Sequence, residues 1–505
     1  MKIADDAFLK ELDRKAEEWK ERIRRAEDRA EWTGTAYYVS SDGNDGNDGT
    51  SPAKPWKSLA RVTGAALMPG DAVRFRRGDV FRGQVVCRPG VTYAAFGEGE
   101  KPRIYGWERN LADPALWELW DGERRIYRLR DRIPDCGTLV FNDGERHSRK
   151  LIPSWIDGRF VCRDRPDVPF LMREEMTEDL DLFCDCRALW TTAPSHGESR
   201  PVPDMRAENR GDLYLRSDRG NPGSVFESIE ALPGRHLIRS GEAPDVHIDN
   251  LCLRYGGAHA ISAGGRNVRG LHVTNCEIGW IGGTVQHYLG TDPNYPEGKR
   301  GTVTRYGNGV EIYGGCEDYL CENNYVYQVY DAGLTHQYTV QNGETCVMKD
   351  VRYAGNLIER CVYSIEYFLS GTEGTGSRMD GLTIENNFLR YSGYGWGQQR
   401  HNFWTPAHVK SWNFENPACR YSIRGNVFDR ARYRLLHLCC KSGKDYPVLN
   451  GNTYIQVLGL PLGQFGSCEA GDPPVLAYLE SSDREIAGTV GDREAVSCFA
   501  AGSRE

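Results

Sequence analysis

No stretch of this 505-residue chain is both long and apolar enough to span a bilayer as a helix. The N-terminus, MKIADDAFLKELDRK, lacks the apolar core of a secretory leader, so a cytoplasmic location is expected. Positive charge is not in excess: 63 Lys and Arg stand against 71 Asp and Glu, a net charge of −8. That balance argues against nucleic acid and anionic membranes as partners. The 16 cysteines lack metal-ligand spacing, and neither Cys184-Asp185-Cys186 nor Cys439-Cys440 has a matching second pair. They read as reduced, small apolar core residues, and no metal is expected. The Asp/Asn/Gly run from Asp42 to Asp48 lacks the glycine-then-glutamate spacing of an EF-hand loop and reads as a solvated turn.

Glycine, by contrast, is abundant at 57 residues, and aromatics reach 11%. The length exceeds a typical globular domain, but a repetitive β architecture grows in one dimension without widening its core. From His247 onward Asn-containing turns recur at Asn250, Asn275, Asn324, Asn356, Asn387, Asn426 and Asn452, with intervals of 25, 49, 32, 31, 39 and 26. Short apolar runs flank each Asn, as in VHIDNLCLRY and YSIRGNVFDR. In a stacked parallel coil such side chains can hydrogen-bond up the turn, so these asparagines read as structural.

Five segments follow. Residues 1–31 hold an amphipathic helix with Phe8, Leu12, Ala16, Trp19, Ile23 and Ala26 in one stripe, expected to cap an open end of the β structure. Residues 32–130 form the first part of a β-solenoid. Residues 131–235 break the rhythm and read as an inserted, β-rich but irregular subdomain. Residues 236–470 carry the main coils, and 471–505 a C-terminal cap and tail. Two long loops, at 286–306 and 398–417, bring aromatic and basic side chains. Loops of that length in a compact scaffold are commonly functional.

The order YYVSSDGNDGNDGTSPAKPWKSLA, then GDAVRFRRGDVFRG, then glycine-punctuated Asn turns resembles the opening of right-handed parallel β-helix proteins of carbohydrate-active families. Those families include polysaccharide lyases and β-helical glycoside hydrolases. The resemblance spans roughly residues 35–456. It implies an all-β, right-handed parallel β-helix acting on an oligosaccharide or polysaccharide. It does not select one reaction, because several chemistries share the scaffold.

Three runs follow turns rich in Gly, Asn or Ser: Val310-Glu311-Ile312, Leu334-Thr335-His336 and Ile365-Glu366-Tyr367. With their apolar members inward, alternation turns Glu311, Thr335 and Glu366 outward. Coils stack at about 4.8 Å, so Glu311 and Glu366 lie about 9–10 Å apart at their backbones. Asp331 begins the middle strand and can reach between them. Glycosidic cleavage needs one protonated carboxyl at the leaving oxygen and one carboxylate that attacks or activates water. Neighbouring carboxylates raise each other's pKa and keep one protonated. Asp331 and Glu366 are therefore the expected pair, with Glu311 and His336 assisting. His336 falls at an inward position, so a core histidine is the competing reading, and Asp331 beside Gly333 also suits a turn. Expected sugar contacts are His287, Arg305, Tyr313, Tyr367, Trp396, Arg400, His401 and Trp404.

The alternative is a lyase acting by β-elimination on uronates, which needs a base and a cation at the sugar carboxylate, with calcium as an occasional helper. No dense acidic cluster and no Lys/Arg column on the strands stands out, and the adjacent Asp-Asp pattern of polygalacturonase-type hydrolases is missing near the carboxylates. A second alternative is a non-catalytic, carbohydrate-binding β-helix. Hydrolysis by a carboxylate pair needs no cofactor. Nothing in the sequence argues for or against an oligomer.

Overall fold

Each repeat is one turn of a coil with three strand segments and a corner between each. In the coil that begins at Val310 the strand Val310–Glu322 bends to serve two faces, and Tyr325–Val329 forms the third. The first half of Val310–Glu322 pairs in parallel with Ala332–Thr339, and its second half with Val347–Ala354. Tyr325–Val329 pairs in parallel with Leu357–Glu359. These pairings belong to a computed structural model that describes all residues except 1, 29, 186–189, 196–197, 204–209, 290–299, 401–405, 413–417, 439–446, 466–475, 480–490 and 503–505. The protein is a right-handed parallel β-helix.

The interior is built by alternation. Val310, Leu334, Ile365, Val409 and Leu436 are register partners on successive coils, and each is fully buried. One aliphatic side chain per coil thus stacks on the next inside the solenoid. Register is fixed at the corner by an asparagine ladder. Asn324 Nδ2 donates to Asn356 Oδ1 at 3.0 Å, Asn356 to Asn387 at 2.9 Å, Asn387 to Asn426 at 2.9 Å and Asn426 to Asn452 at 3.0 Å. The ladder ends on Asp492 Oδ2, 2.9 Å from Asn452 Nδ2. The residue before each rung has a left-handed backbone: Asn323, Gly355, Asn386, Gly425 and Gly451 all have φ between 52° and 64°. Asn250 and Asn275 occupy that preceding position, with φ of 63° and 53°. At the ladder position beside Asn275 stands Cys276, whose N–H donates to Asn324 Oδ1. The seven asparagines therefore split into two roles that spacing alone does not separate.

The N-terminal helix, Asp6–Arg24, does not cover an end of the solenoid. Its apolar stripe packs Leu9, Leu12, Ala16 and Ile23 against Tyr325, Leu357, Phe388, Ile455 and Cys498. Those residues sit on successive coils of the third face, so the helix lies across the coils as a lateral brace. At about 1.5 Å per residue its 19 residues reach nearly 30 Å, about six coils at 4.8 Å. Ile3 pairs with Phe499 beside the last coil, and Arg24 binds Glu277 several coils earlier. The strand Val496–Ala500, within the segment expected to be cap and tail, continues the third face on Thr453–Val457.

The insertion begins earlier than expected. Trp117–Asp121 and Ile126–Leu129 form an antiparallel hairpin in a five-stranded sheet with Asp212–Arg216, Asp181–Asp185 and Arg149–Lys150. The excursion therefore runs between Arg103–Tyr105 and Ile238–Gly241. It has its own core around Trp107, Trp117, Leu139, Phe141, Leu182 and Leu213. It docks on the solenoid through Asp135 Oδ2, which accepts from Val285 N at 2.7 Å, and through Gln399, which donates to Ser148 O and accepts from Lys150 N.

Candidate active site

The strand register aligns Glu311, Thr335 and Glu366 on adjacent rungs of the first face. The column extends both ways. Arg239 and Ser262 precede Glu311, and Lys410, His437 and Gln464 follow Glu366. A basic continuation of the strand column is therefore present, contrary to the sequence reading. The sign of it was in the alternation V-K-S at Val409 to Ser411 and L-H-L at Leu436 to Leu438, which repeats V-E-I, L-T-H and I-E-Y one and two coils on.

Each carboxylate is buried and separately held. Glu311 accepts from His259 Nε2, from Gln337 Nε2 at 2.8 Å and from Asn308 Nδ2 at 3.3 Å. His259 Nδ1 accepts the backbone N–H of Asn308 at 2.9 Å, which places the ring proton on Nε2, toward Glu311. Burial pushes the Glu311 pKa up, but His259 and the two amide donors outweigh it and hold it below the usual carboxylate range. Behind His259, His236 stacks at 5.0 Å and fixes the ring plane.

Asp331 sits at the corner before Ala332–Thr339 and takes a salt bridge from Arg400. Arg400 directly follows the short helical turn Trp396–Gln399 and lies over the ring of Tyr363. Burial pushes the Asp331 carboxyl up; Arg400 pulls it back and Glu311 pushes it up further, so the net direction is upward. Glu366 Oε1 accepts from Trp412 Nε1. Burial and the neighbouring Asp331 charge push Glu366 up to about 8, against the opposing pull of Arg400, Trp412 and Lys410. Of the outward pair, Glu311 is held ionised and Glu366 protonated at neutral pH.

The other expected site residues separate. His336 is fully buried, its Nδ1 2.8 Å from Tyr353 Oη and its ring stacked on Tyr367 at 5.8 Å. Burial holds its pKa down to about 3. Tyr367 is buried with it and shares a hydroxyl contact with Tyr421. Both are core residues, because regular alternation continues through Thr335 and Glu366 and turns each following residue inward. Arg305 donates to the carbonyls of Gly283 and Gly137 at 2.6 and 3.1 Å, and Trp396 Nε1 donates to Gln328 O at 2.7 Å. With Tyr330 between them, these two brace the corner beneath the site instead of presenting a surface to sugar. His287 is half-buried on the strand Thr284–Tyr288. Tyr313 faces outward two residues beyond Glu311, edge-on to Tyr338 at 5.2 Å. The two rings line a groove of about 810 Å³ that also meets Ser262 and Arg239 of the column. His401 and Trp404 lie outside the described residues. The sequence reading missed His259, Asn308, Gln337 and Lys410. His259 and Asn308 precede strands in Gly-rich corners, where polar residues read as turn formers.

No family model matches the chain, and no curated protein matches it. Solved structures do. XylC, solved with xylose, is 12% identical and aligns over 92% of this chain and 83% of its own, with a TM-score of 0.40. The lacto-N-biosidase of Eubacterium ramulus, of family GH136, is 13% identical over 97% of this chain and 70% of its own, TM-score 0.34. The Yersinia enterocolitica family 28 exopolygalacturonase is 10% identical over 93% of this chain and 76% of its own, TM-score 0.32. Likeness at this level transfers no residue role, and the reading of the site rests on its own side chains.

Proposed function

We propose that the protein is a glycoside hydrolase in which Glu366 is the general acid and Glu311 the general base, with Asp331 between them. The observation that carries this reading is the outward column Glu311–Thr335–Glu366, two carboxyls two rungs apart with environments that drive their protonation in opposite directions. Glu366 gives its proton to the glycosidic oxygen as the C–O bond breaks and that oxygen keeps the bonding pair. Glu311 takes a proton from the water that adds to the sugar carbon. The rung spacing, about 9–10 Å between backbones, suits carboxyls that leave room for a water, the arrangement of inverting enzymes at roughly 6.5–9.5 Å. Asp331 acts on Glu366 by its charge, and Arg400 fixes Asp331. The Tyr313–Tyr338 groove supplies apolar ring faces beside the column, suited to a saccharide chain.

Lys410 supports a second reading. Buried next to Glu366 in register, with its ammonium pKa driven well below the ordinary value by burial, it has the character of a base for β-elimination on a uronate. Incubation with an oligosaccharide panel separates the two: hydrolysis leaves no new ultraviolet absorbance, whereas elimination creates an absorbing double bond. Under the hydrolase reading Glu366→Gln and Glu311→Gln each lose about 10²–10⁴-fold in kcat. Full activity in both variants would defeat it.

A further inference from the structure

The contacts around Glu366 show more than a buried acid. Trp412 stands just past the end of the strand Ala407–Ser411, and its indole Nε1–H donates to Glu366 Oε1. The face of the same indole carries the Lys410 side chain, with Nζ 4.0 Å from the ring centroid; in the hydrolase reading this is the ammonium, whereas the elimination reading needs the neutral amine. Lys410 is the register partner of Glu366 on the next coil, and its Nζ is 3.1 Å from His437 Nδ1 one coil further. One ring therefore touches the carboxyl with its edge and the ammonium with its face. Both contacts suit an indole, whose N–H is a donor only and whose π face is negative.

We propose that Trp412 and Lys410 form a clamp that decides which oxygen of Glu366 carries the proton for transfer. This rests on Glu366 being the acid. A carboxyl that accepts an N–H at Oε1 keeps Oε1 as its carbonyl oxygen, so the proton resides on Oε2. Lys410 under the ring holds the indole in place and withdraws electron density from it, which sharpens the N–H as a donor. His437 holds Lys410 in turn. Trp412 and Lys410 are thus positioning residues that act through Glu366.

The charged and titratable groups facing Glu366 are Asp331 at the corner of the preceding coil, Arg400 beside Asp331, Lys410 on the following rung with Arg434 and His437 behind it, and Glu311 two rungs away. Trp412 and Lys410 both favour the ionised carboxyl, so removing either raises the pH at which Glu366 gives up its proton. Asp331 pushes in that same upward direction in the native protein and is unaffected by the substitutions.

The test uses Trp412→Phe, which keeps a ring face and loses the N–H, with Lys410→Met and Lys410→Arg. Two readouts are taken: the pH profile of kcat, and an infrared pH titration of the Glu366 carboxyl, isolated by subtracting the Glu366→Gln spectrum. Trp412→Phe is expected to move both the alkaline limb and the carboxyl titration upward by about one pH unit, since a hydrogen bond to a charged group is worth about that much, and to lower kcat about tenfold. Lys410→Met should move them the same way, and Lys410→Arg should restore them. Unmoved or lowered titrations in Trp412→Phe and Lys410→Met overturn the clamp. The infrared titration needs no turnover, so an active Glu366→Gln enzyme would refute the acid assignment separately.

Discussion

A carboxyl kept protonated inside a folded protein leaves a mark on stability that can be measured without a substrate. Glu366 ionises near its ordinary value of 4.5 when unfolded and at about 8 when folded. Between those values the unfolded chain has released a proton that the folded chain still holds. Stability therefore falls as pH rises through this window, and it levels off above pH 8. The loss is roughly 1.4 kcal/mol for each pH unit of the window, on the order of 4–5 kcal/mol by pH 9. The substitution Glu366→Gln keeps the shape of the side chain without a charge, and the amide oxygen can still accept from Trp412. The variant should match the parent protein near pH 4.5 and be more stable at pH 9. With an unfolding entropy of about 2.1 cal/mol/K per residue over 505 residues, the gain in Tm is about 4 °C. Thermal unfolding of both proteins at pH 5 and pH 9 reads it directly. A variant whose stability relative to the parent is the same at both pH values, or lower at pH 9, would show that Glu366 is ionised in the native protein and cannot be the acid.

His336 should separate stability from turnover. His336→Leu removes the partner of the buried Tyr353 hydroxyl and should cost about 1–3 kcal/mol in a denaturant titration while kcat stays unchanged; a large loss of kcat at full occupancy of the native state would return His336 to the site. Thr335 is the reverse case: its hydroxyl is fully buried and has no hydrogen-bond partner among the described residues, and it stands on the rung between Glu311 and Glu366. Thr335→Val keeps the shape and drops the orphaned hydroxyl, so it should be at least as stable as the parent by thermal unfolding and turn over at least tenfold more slowly; an equally active Val variant would make Thr335 an ordinary wall residue.

The solenoid was legible because its signals repeat. Alternation at Val310, Leu334 and Ile365 gave the inward column, and the same alternation put His336 inside, the competing reading that the structure supports. Boundaries were harder. Trp117–Asp121 and Ile126–Leu129 alternate like solenoid strands, and only their antiparallel partners reveal an inserted sheet. The helix stripe from Leu9 to Ile23 showed that an apolar face must be covered but not by what. A flank of stacked strands and an open end offer a helix the same kind of surface. The site was legible as far as strand register reaches. Glu311, Thr335 and Glu366 follow from it, and so does Lys410 once the pattern is carried one coil further. Arg400 reaching Asp331 and His259 reaching Glu311 arise from corners and loops, where no period ties sequence position to place.

The scaffold explains why polar chemistry can gather on one line. The coils of Val310, Leu334, Ile365, Val409 and Leu436 each contribute one inward aliphatic residue and one ladder asparagine, and these set register and stability. The outward residue between two inward ones carries neither duty. Across eight coils that position reads Arg239, Ser262, Glu311, Thr335, Glu366, Lys410, His437 and Gln464, with almost no apolar content although several of these side chains are deeply buried. Burying carboxyls and amines at 4.8 Å intervals is costly unless they neutralise or pair. The pairs found here, Glu311 with His259, Asp331 with Arg400 and Glu366 with Trp412, show how that cost is met. An ordinary sheet face would have been left to water. The ionisable members of the column are withdrawn from water and held by partners, and the opposite directions in which Glu311 and Glu366 are pushed are what the proposed acid–base reading rests on.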